Sequence, residues 1–141
     1  MTRYLVDNSV WQRLPRSAEV RSAVGALLEA EGELCCCALS LDEFGYSARS
    51  AADHRLSMDR LLSSFLFLPS SAAADAEAAA IRAALWLAGT GRAAGVVDVA
   101  IAAVAAAADA VVLHYDSDFD DITAAHPVVR SRWVVPRGSV D

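Results

Sequence analysis

Short apolar runs alternate along the chain with longer stretches whose apolar residues recur every three or four positions. Tyr4-Leu5-Val6 is the first run, and it ends in Asp7-Asn8-Ser9, the pattern of a buried strand meeting a turn. From Ser17 to Glu31, the residues Val20, Val24, Leu27 and Leu28 fall on one helical face, and Gly32 stops the helix. Leu34 to Leu39 reads as a second buried strand, and Ser40-Leu41-Asp42-Glu43 opens a helix running to about Ala51. A helix over Asp53–Ser64 follows, with Met58, Leu61 and Leu62 at helical spacing, then a strand over Phe65–Leu68 closed by Pro69. Ala72 to Leu87 is a long alanine-rich helix. Gly89, Gly91 and Gly95 predict a flexible break. The rest reads as a core helix over Val97–Ala108, a strand over Val111–Leu113, a short helix over Asp118–Ala125 and a last strand over Trp133–Val135.

Strands that alternate with helices in this way predict a parallel sheet covered on both faces. With 141 residues, no internal repeat and no dividing linker, residues 1–141 are expected to form one domain.

Composition narrows the function. The net charge is −6, and all twelve basic residues are arginine. A broad electrostatic grip on nucleic acid calls for a basic surface. Any contact with RNA must therefore draw on local arginines and bound metal ions. Cys35, Cys36 and Cys37 are adjacent, which is not a metal-ligand spacing, so a buried strand in a reducing compartment is their expected setting. The opening MTRYLVDNSVW has no apolar core of a secretion signal, and the expected location is the cytoplasm. The longest apolar tract, Ala93–Leu113, carries Asp98 and Asp109. Each aspartate would cost about 2.5–3.5 kcal/mol within a bilayer, which argues against a membrane span.

The carboxylates carry the chemistry. Asp7 ends the first strand, Glu43 lies in the first turn after the second, and Asp116 lies just beyond Val111–Leu113. Asp98 starts the helix that feeds that strand. A crossover helix runs antiparallel to its strand, so Asp98 begins at the same carboxyl edge. Ligands of open α/β sheets bind at that edge, where strand order reverses. Carboxylates gathered there repel unless cations neutralise them. Oxygen ligands suit Mg²⁺ or Mn²⁺. Each acid also has a plain structural reading. Ser40-x-x-Glu43 matches a capping box, Asp98 could cap an alanine-rich helix, and Asp7 and Asp116 could be turn residues.

The local wording adds a resemblance. Tyr4–Trp11 resembles the opening motif of PIN domains, a strand ending in Asp-x-Ser. Leu41-Asp42-Glu43-Phe44 is similar to their second motif, Gly95–Ala103 to their third, and Val112–Phe119 to their fourth. The form Leu-His-x-Asp-x-Asp-Phe and the small size are closest to VapC-type toxins. The resemblance implies a PIN-like, flavodoxin-like three-layer α/β sandwich with a central parallel sheet of four or five strands. It implies metal ligation and catalysis by Asp7, Glu43, Asp98 and Asp116. Asp118 matches an additional acid of the fourth motif and Ser9 a polar residue beside the first. It further implies Mg²⁺- or Mn²⁺-dependent cleavage of RNA, a VapB-type antitoxin as partner and a homodimer within a larger complex. His114 stands where many PIN domains have threonine or serine, and it is expected to pack at the strand end rather than touch RNA. Asp42, Asp120 and Asp121 read as solvated charges at helix starts.

Two other readings compete. Receiver domains and haloacid-dehalogenase-like phosphatases also line this edge with aspartates, but both use a lysine, and this chain has none. A non-catalytic PIN-fold binding module would be favoured by loss of an acid, and all four are present.

Overall fold

The computed structural model describes residues 1–141. The elements in chain order are β1 (Arg3–Val6), α1 (Asn8–Trp11), α2 (Ala18–Glu29), β2 (Glu33–Cys37), α3 (Ala38–Tyr46), α4 (Ala51–Ser64) and β3 (Leu66–Leu68). Then come α5 (Ala72–Leu87), α6 (Val96–Ala107), β4 (Val111–His114), α7 (Asp118–Ala125) and β5 (Arg130–Trp133). The five strands form one parallel sheet in the order β3-β2-β1-β4-β5. The chain winds outward from β1 in one direction, then returns to β4 and winds the other way. The reversal lies between β1 and β4, whose carboxyl ends carry Asp7 and the loop to Asp116.

Strand alternation builds a core on each face. Leu5, Cys35, Cys37 and Val112 meet Ile81, Leu85, Ile101 and Phe119 from α5, α6 and α7. Tyr4, Val6, Leu34, Cys36 and Leu113 meet Val10, Trp11, Val20 and Val24 from α1 and α2. The three cysteines are buried and free, as their place in β2 requires. Burial pushes the thiols of Cys35 and Cys36 up to about 11, so they pack as small apolar groups.

Several boundaries differ from the sequence reading. Asp7-Asn8-Ser9 enters a short helix, α1, rather than a plain turn, because the Asp7 side chain accepts the Ser9 N–H and caps it. β2 stops at Cys37 and α3 starts at Ala38, so Ser40 lies inside the helix rather than at its cap. α3 ends at Tyr46, and α4 begins separately behind Ser50, whose side chain caps it. α4 buries none of its residues; Leu62, at helical spacing with Met58 and Leu61, is 54% exposed. β5 is Arg130–Trp133, with Val134 and Val135 leaving the sheet to join the α1/α2 core. Arginines on such an edge strand discourage pairing with another chain. The glycine-rich break is an anchored loop: Gly89 ends α5 at φ 81°, and the Arg82 guanidinium donates to the carbonyls of Gly91 and Ala94. No helix is long and apolar enough to cross a membrane, and the Ala93–Leu113 tract is divided between α6 and β4.

Candidate metal centre

Each acid reaches the rim by a different local device. The Asp7 backbone N–H continues the β1–β4 pairing by donating to Leu113 O (2.9 Å). Its Oδ2 accepts the Ser9 N–H at 3.0 Å, while its Oδ1 is buried with no protein partner. The residue is 3% exposed, and burial raises its pKa above the ordinary value, with Asp116 adding repulsion. Asn8 beside it is also buried with its amide oxygen unpartnered, a feature the sequence did not single out.

Glu43 sits in the second turn of α3, not the first. The capping role open to it falls to Ser40, whose hydroxyl accepts from Cys37 N (2.9 Å) and donates to Cys37 O (3.1 Å). Glu43 therefore has no capping duty. Its pKa is raised, first by burial and then by Asp7 and Asp116. Asp98 is the third residue of α6, and Gly95 occupies the cap position, so the simple N-cap reading of Asp98 does not hold. Asp116 lies in the β4–α7 loop; its N–H donates to His114 Nδ1 (3.1 Å), and its Oδ1 accepts the Asp118 N–H (3.0 Å).

Carboxylate oxygens of Asp98, Asp116 and Asp118 all lie within 4.8 Å of one another. Asp98 is pushed up to about 8 by burial, then by the charges of Asp7 and Asp116, then by a hydrogen bond and repulsion from Asp118. Asp7 and Glu43 fall outside the tight triad but feel its charge, since Asp116 raises both of them. Thus Asp98, Asp116 and Asp118 form the tight group, with Asp7 and Glu43 flanking it. Asp118, named in the sequence only as an additional acid, stands in the triad itself.

Ser9 holds the rim together. Its N–H binds Asp7, and its Oγ accepts the Tyr115 N–H at 2.9 Å, linking the end of β1 to the loop after β4. His114 is fully buried between Phe119 (4.9 Å) and Trp133 (5.0 Å). Burial lowers its pKa to about 4, so it stays neutral and accepts through Nδ1. It packs at the strand end, as expected of it, and in addition accepts the Asp116 N–H. Asp120 is less idle than the sequence suggested, because Trp133 Nε1 donates to it at 3.0 Å.

The chemistry of this donor set can be tested against a cation. The donors are carboxylate oxygens, one of them is buried without a partner, and none of the ion pairs in the molecule reaches the rim. Burial, reinforced by mutual repulsion, raises the pKa of three of the acids. Hard divalent ions are the cations that suit such a site.

Comparison with known proteins agrees with the geometry. The family model described as PIN domain matches residues 4–125. The chain belongs to the PIN-domain family. It is 39% identical over 139 residues to Ribonuclease VapC51 of Mycobacterium tuberculosis (strain ATCC 25618 / H37Rv), covering 99% of this chain and 98% of the relative. It is 36% identical over 140 residues to Ribonuclease VapC21 of the same species (strain CDC 1551 / Oshkosh), covering 98% of each. Among solved structures, VapBC2 from Rickettsia felis bound to a promoter DNA fragment superposes with a TM-score of 0.76 at 17% identity, covering 93% of this chain and 98% of that one. VapBC-1 from nontypeable Haemophilus influenzae superposes equally well, at 0.76 and 17% identity, covering 94% and 98%. These likenesses establish the fold.

Proposed function

We propose that this protein, read as one PIN domain over residues 1–141, is a divalent-metal-dependent endoribonuclease and the toxin of a toxin–antitoxin pair. The observation that carries the reading is the convergence of Asp7, Glu43, Asp98, Asp116 and Asp118 on the crevice between β1 and β4, with no protein cation among them. The relatives named Ribonuclease VapC supply the reaction class.

Asp7, Glu43, Asp98 and Asp116 are the residues that would hold Mg²⁺ or Mn²⁺, with Asp118 as a further ligand and Ser9 beside them. A bound ion of this kind supplies Lewis acidity, easing deprotonation of water and offsetting charge on phosphoryl oxygens. Ser9 and His114 keep Asp7 and Asp116 in place through the hydrogen bonds described above. The proton that Asp98 retains up to about pH 8 in the metal-free protein must leave for it to serve as a ligand. In the overall reaction water adds to phosphorus in line with the 3′ oxygen, and the P–O3′ bond breaks. The products carry 5′-phosphate and 3′-hydroxyl ends. No histidine or cysteine nucleophile is required; His114 is fully buried, and the cysteines lie in the core.

A VapB-type antitoxin is the partner this reading calls for. A cationic tail segment, with an arginine or lysine directed at the rim, would pair with carboxylates that have no cation of their own. Assembly as a homodimer and action in the cytoplasm belong to the same reading. The test is a brief pulse of expression in cells with sequencing of RNA ends, alongside Asp98→Asn and co-expression with the product of the adjacent upstream reading frame. New 5′-phosphate ends should appear with the wild type alone and vanish with either change. Ends that persist with Asp98→Asn would refute the metal mechanism, and a neighbour that neither binds nor protects would refute the toxin reading.

A further inference from the structure

The segment after β5 does not trail into solvent. Pro136 to Ser139 forms a turn closed by Ser139 N–H donating to Pro136 O, with Gly138 at φ 79° in the position that favours glycine. The turn brings this segment onto one side chain. Tyr115 Oη accepts from Gly138 N–H (2.9 Å) and Val140 N–H (3.3 Å) and donates to Val140 O (2.8 Å). Its ring meets the Trp133 edge at 5.3 Å and carries the Arg13 guanidinium 4.4 Å above its centroid. Arg13 is itself tied at both ends: Nε donates to Asp141 O (2.6 Å) and Nη1 to Ser9 O (2.8 Å).

Both anchors lead to the rim. Tyr115 directly precedes Asp116, and its N–H binds Ser9 Oγ; Ser9 N–H binds Asp7 Oδ2. One connected set of contacts therefore runs from residues 136–141 through Arg13 and Tyr115 to two acids on opposite sides of the strand reversal. We propose that segment 136–141, Arg13 and Tyr115 form a clasp that sets the spacing of Asp7 and Asp116 for a divalent ion. The inference rests on the metal reading above and adds positioning contacts that lie outside the rim carboxylates.

The physical reason is preorganisation. Like charges drive Asp7 and Asp116 apart in the metal-free protein. A ligand pair held at its working spacing against that repulsion binds an ion more tightly than one that must be drawn together. Neither Arg13 nor Tyr115 offers a carboxylate, so they are positioning residues. Outer partners of metal ligands are worth about 10- to 100-fold in metal affinity or activity when removed.

The test uses Tyr115→Phe, which removes only the hydroxyl, Arg13→Ala, and a chain ending at Arg137. For each, Mn²⁺ is titrated against both RNA cleavage and melting temperature, with circular dichroism to confirm folding. The Mn²⁺ concentration for half-maximal cleavage should rise about 10-fold or more, with kcat recovering at saturating Mn²⁺. The Mn²⁺-induced rise in melting temperature should move to higher concentration in parallel, a readout independent of turnover. Folded variants whose Mn²⁺ curves coincide with the wild type overturn the clasp, as does a kcat that stays low at saturating Mn²⁺. A wild type indifferent to Mn²⁺ in both assays overturns the metal reading itself, and the clasp with it.

Discussion

Three acids away from the rim pair with a cationic side chain, and no acid on the rim does. Asp109 meets Arg130 at 2.6 Å, Glu33 meets Arg3 at 3.5 Å, and Glu77 meets His126 at 2.9 Å. These pairs lie at the surface or only partly buried, where they add little stability. Asp7, Glu43, Asp98, Asp116 and Asp118 are drawn together and partly desolvated, yet none of the twelve arginines pairs with them. The chain could have neutralised the rim with a guanidinium and did not. A fold that tolerates such repulsion at the sheet's switch point reserves the site for an outside cation.

The largest effect that would sharpen this contrast is catalytic. Asp98→Asn and Glu43→Gln keep shape but cannot offer a carboxylate to the ion, and each should lower RNA cleavage by at least about 100-fold, the upper range for losing even an outer partner of a metal ligand. Asp109→Asn, which breaks a surface pair, should cleave normally. Equal loss at Asp109 would erase the distinction between the two groups.

A smaller effect is thermal. Saturation at 100 times the dissociation constant contributes about 2.7 kcal/mol, which at this chain length corresponds to a rise of about 5–10 °C. Scanning calorimetry with millimolar Mn²⁺ should show such a rise in the wild type. It should be much reduced when Asp7 and Asp116 are both asparagine. In metal-free buffer that double variant should melt above the wild type, because repulsion is relieved. Coincident curves with and without metal would mean that these acids share no site.

The smallest effect is a pH slope. Asp98 titrates at about 8 in the fold against an ordinary value of 3.8, so its proton binds more tightly to the folded protein. The stability it contributes is fully present below about pH 4 and is lost as pH rises through about 8. His114 runs the other way: lowered from 6.5 to about 4, it contributes stability above pH 6.5 that is lost as pH falls through about 4. Between pH 6.5 and 8.5 the rim dominates. The metal-free wild type should therefore lose melting temperature across that window, and Asp98→Asn should lose less. A wild-type profile that is flat there in the absence of metal would contradict the desolvated, mutually repelling rim.

Much of this contrast was legible in the sequence because buried parallel strands read as unbroken apolar runs, and each acid sits a fixed step beyond one. Tyr4-Leu5-Val6 and Val111-Val112-Leu113 located the two strands that flank the reversal, and the crossover rule carried Asp98 to the same edge. Local ambiguity hid the rest. Ser40-x-x-Glu43 satisfies a capping-box pattern, but the helix begins two residues earlier, so Ser40 bonds back to Cys37 and frees Glu43. Asp7-Asn8-Ser9 is equally good turn and helix-cap chemistry, and the Asp7 cap together with packing of Val10 and Trp11 into the core decides for the helix. Arg130-Ser131-Arg132 lacks the apolar signature of a strand, so β5 was expected three residues too late. The contacts of Arg13 and Tyr115 with Ser9, Gly138, Val140 and Asp141 are mostly long-range and leave no periodic trace.

On the function proposed above, the rim carboxylates bind a divalent ion through their charge. Calorimetric titration of Mn²⁺ into metal-free wild type, Asp98→Asn and Asp109→Asn tests it most directly. Saturable binding by the wild type is expected, unchanged in Asp109→Asn and weakened by at least about 10-fold in Asp98→Asn. No binding by the wild type, or the same isotherm for Asp98→Asn, would contradict it.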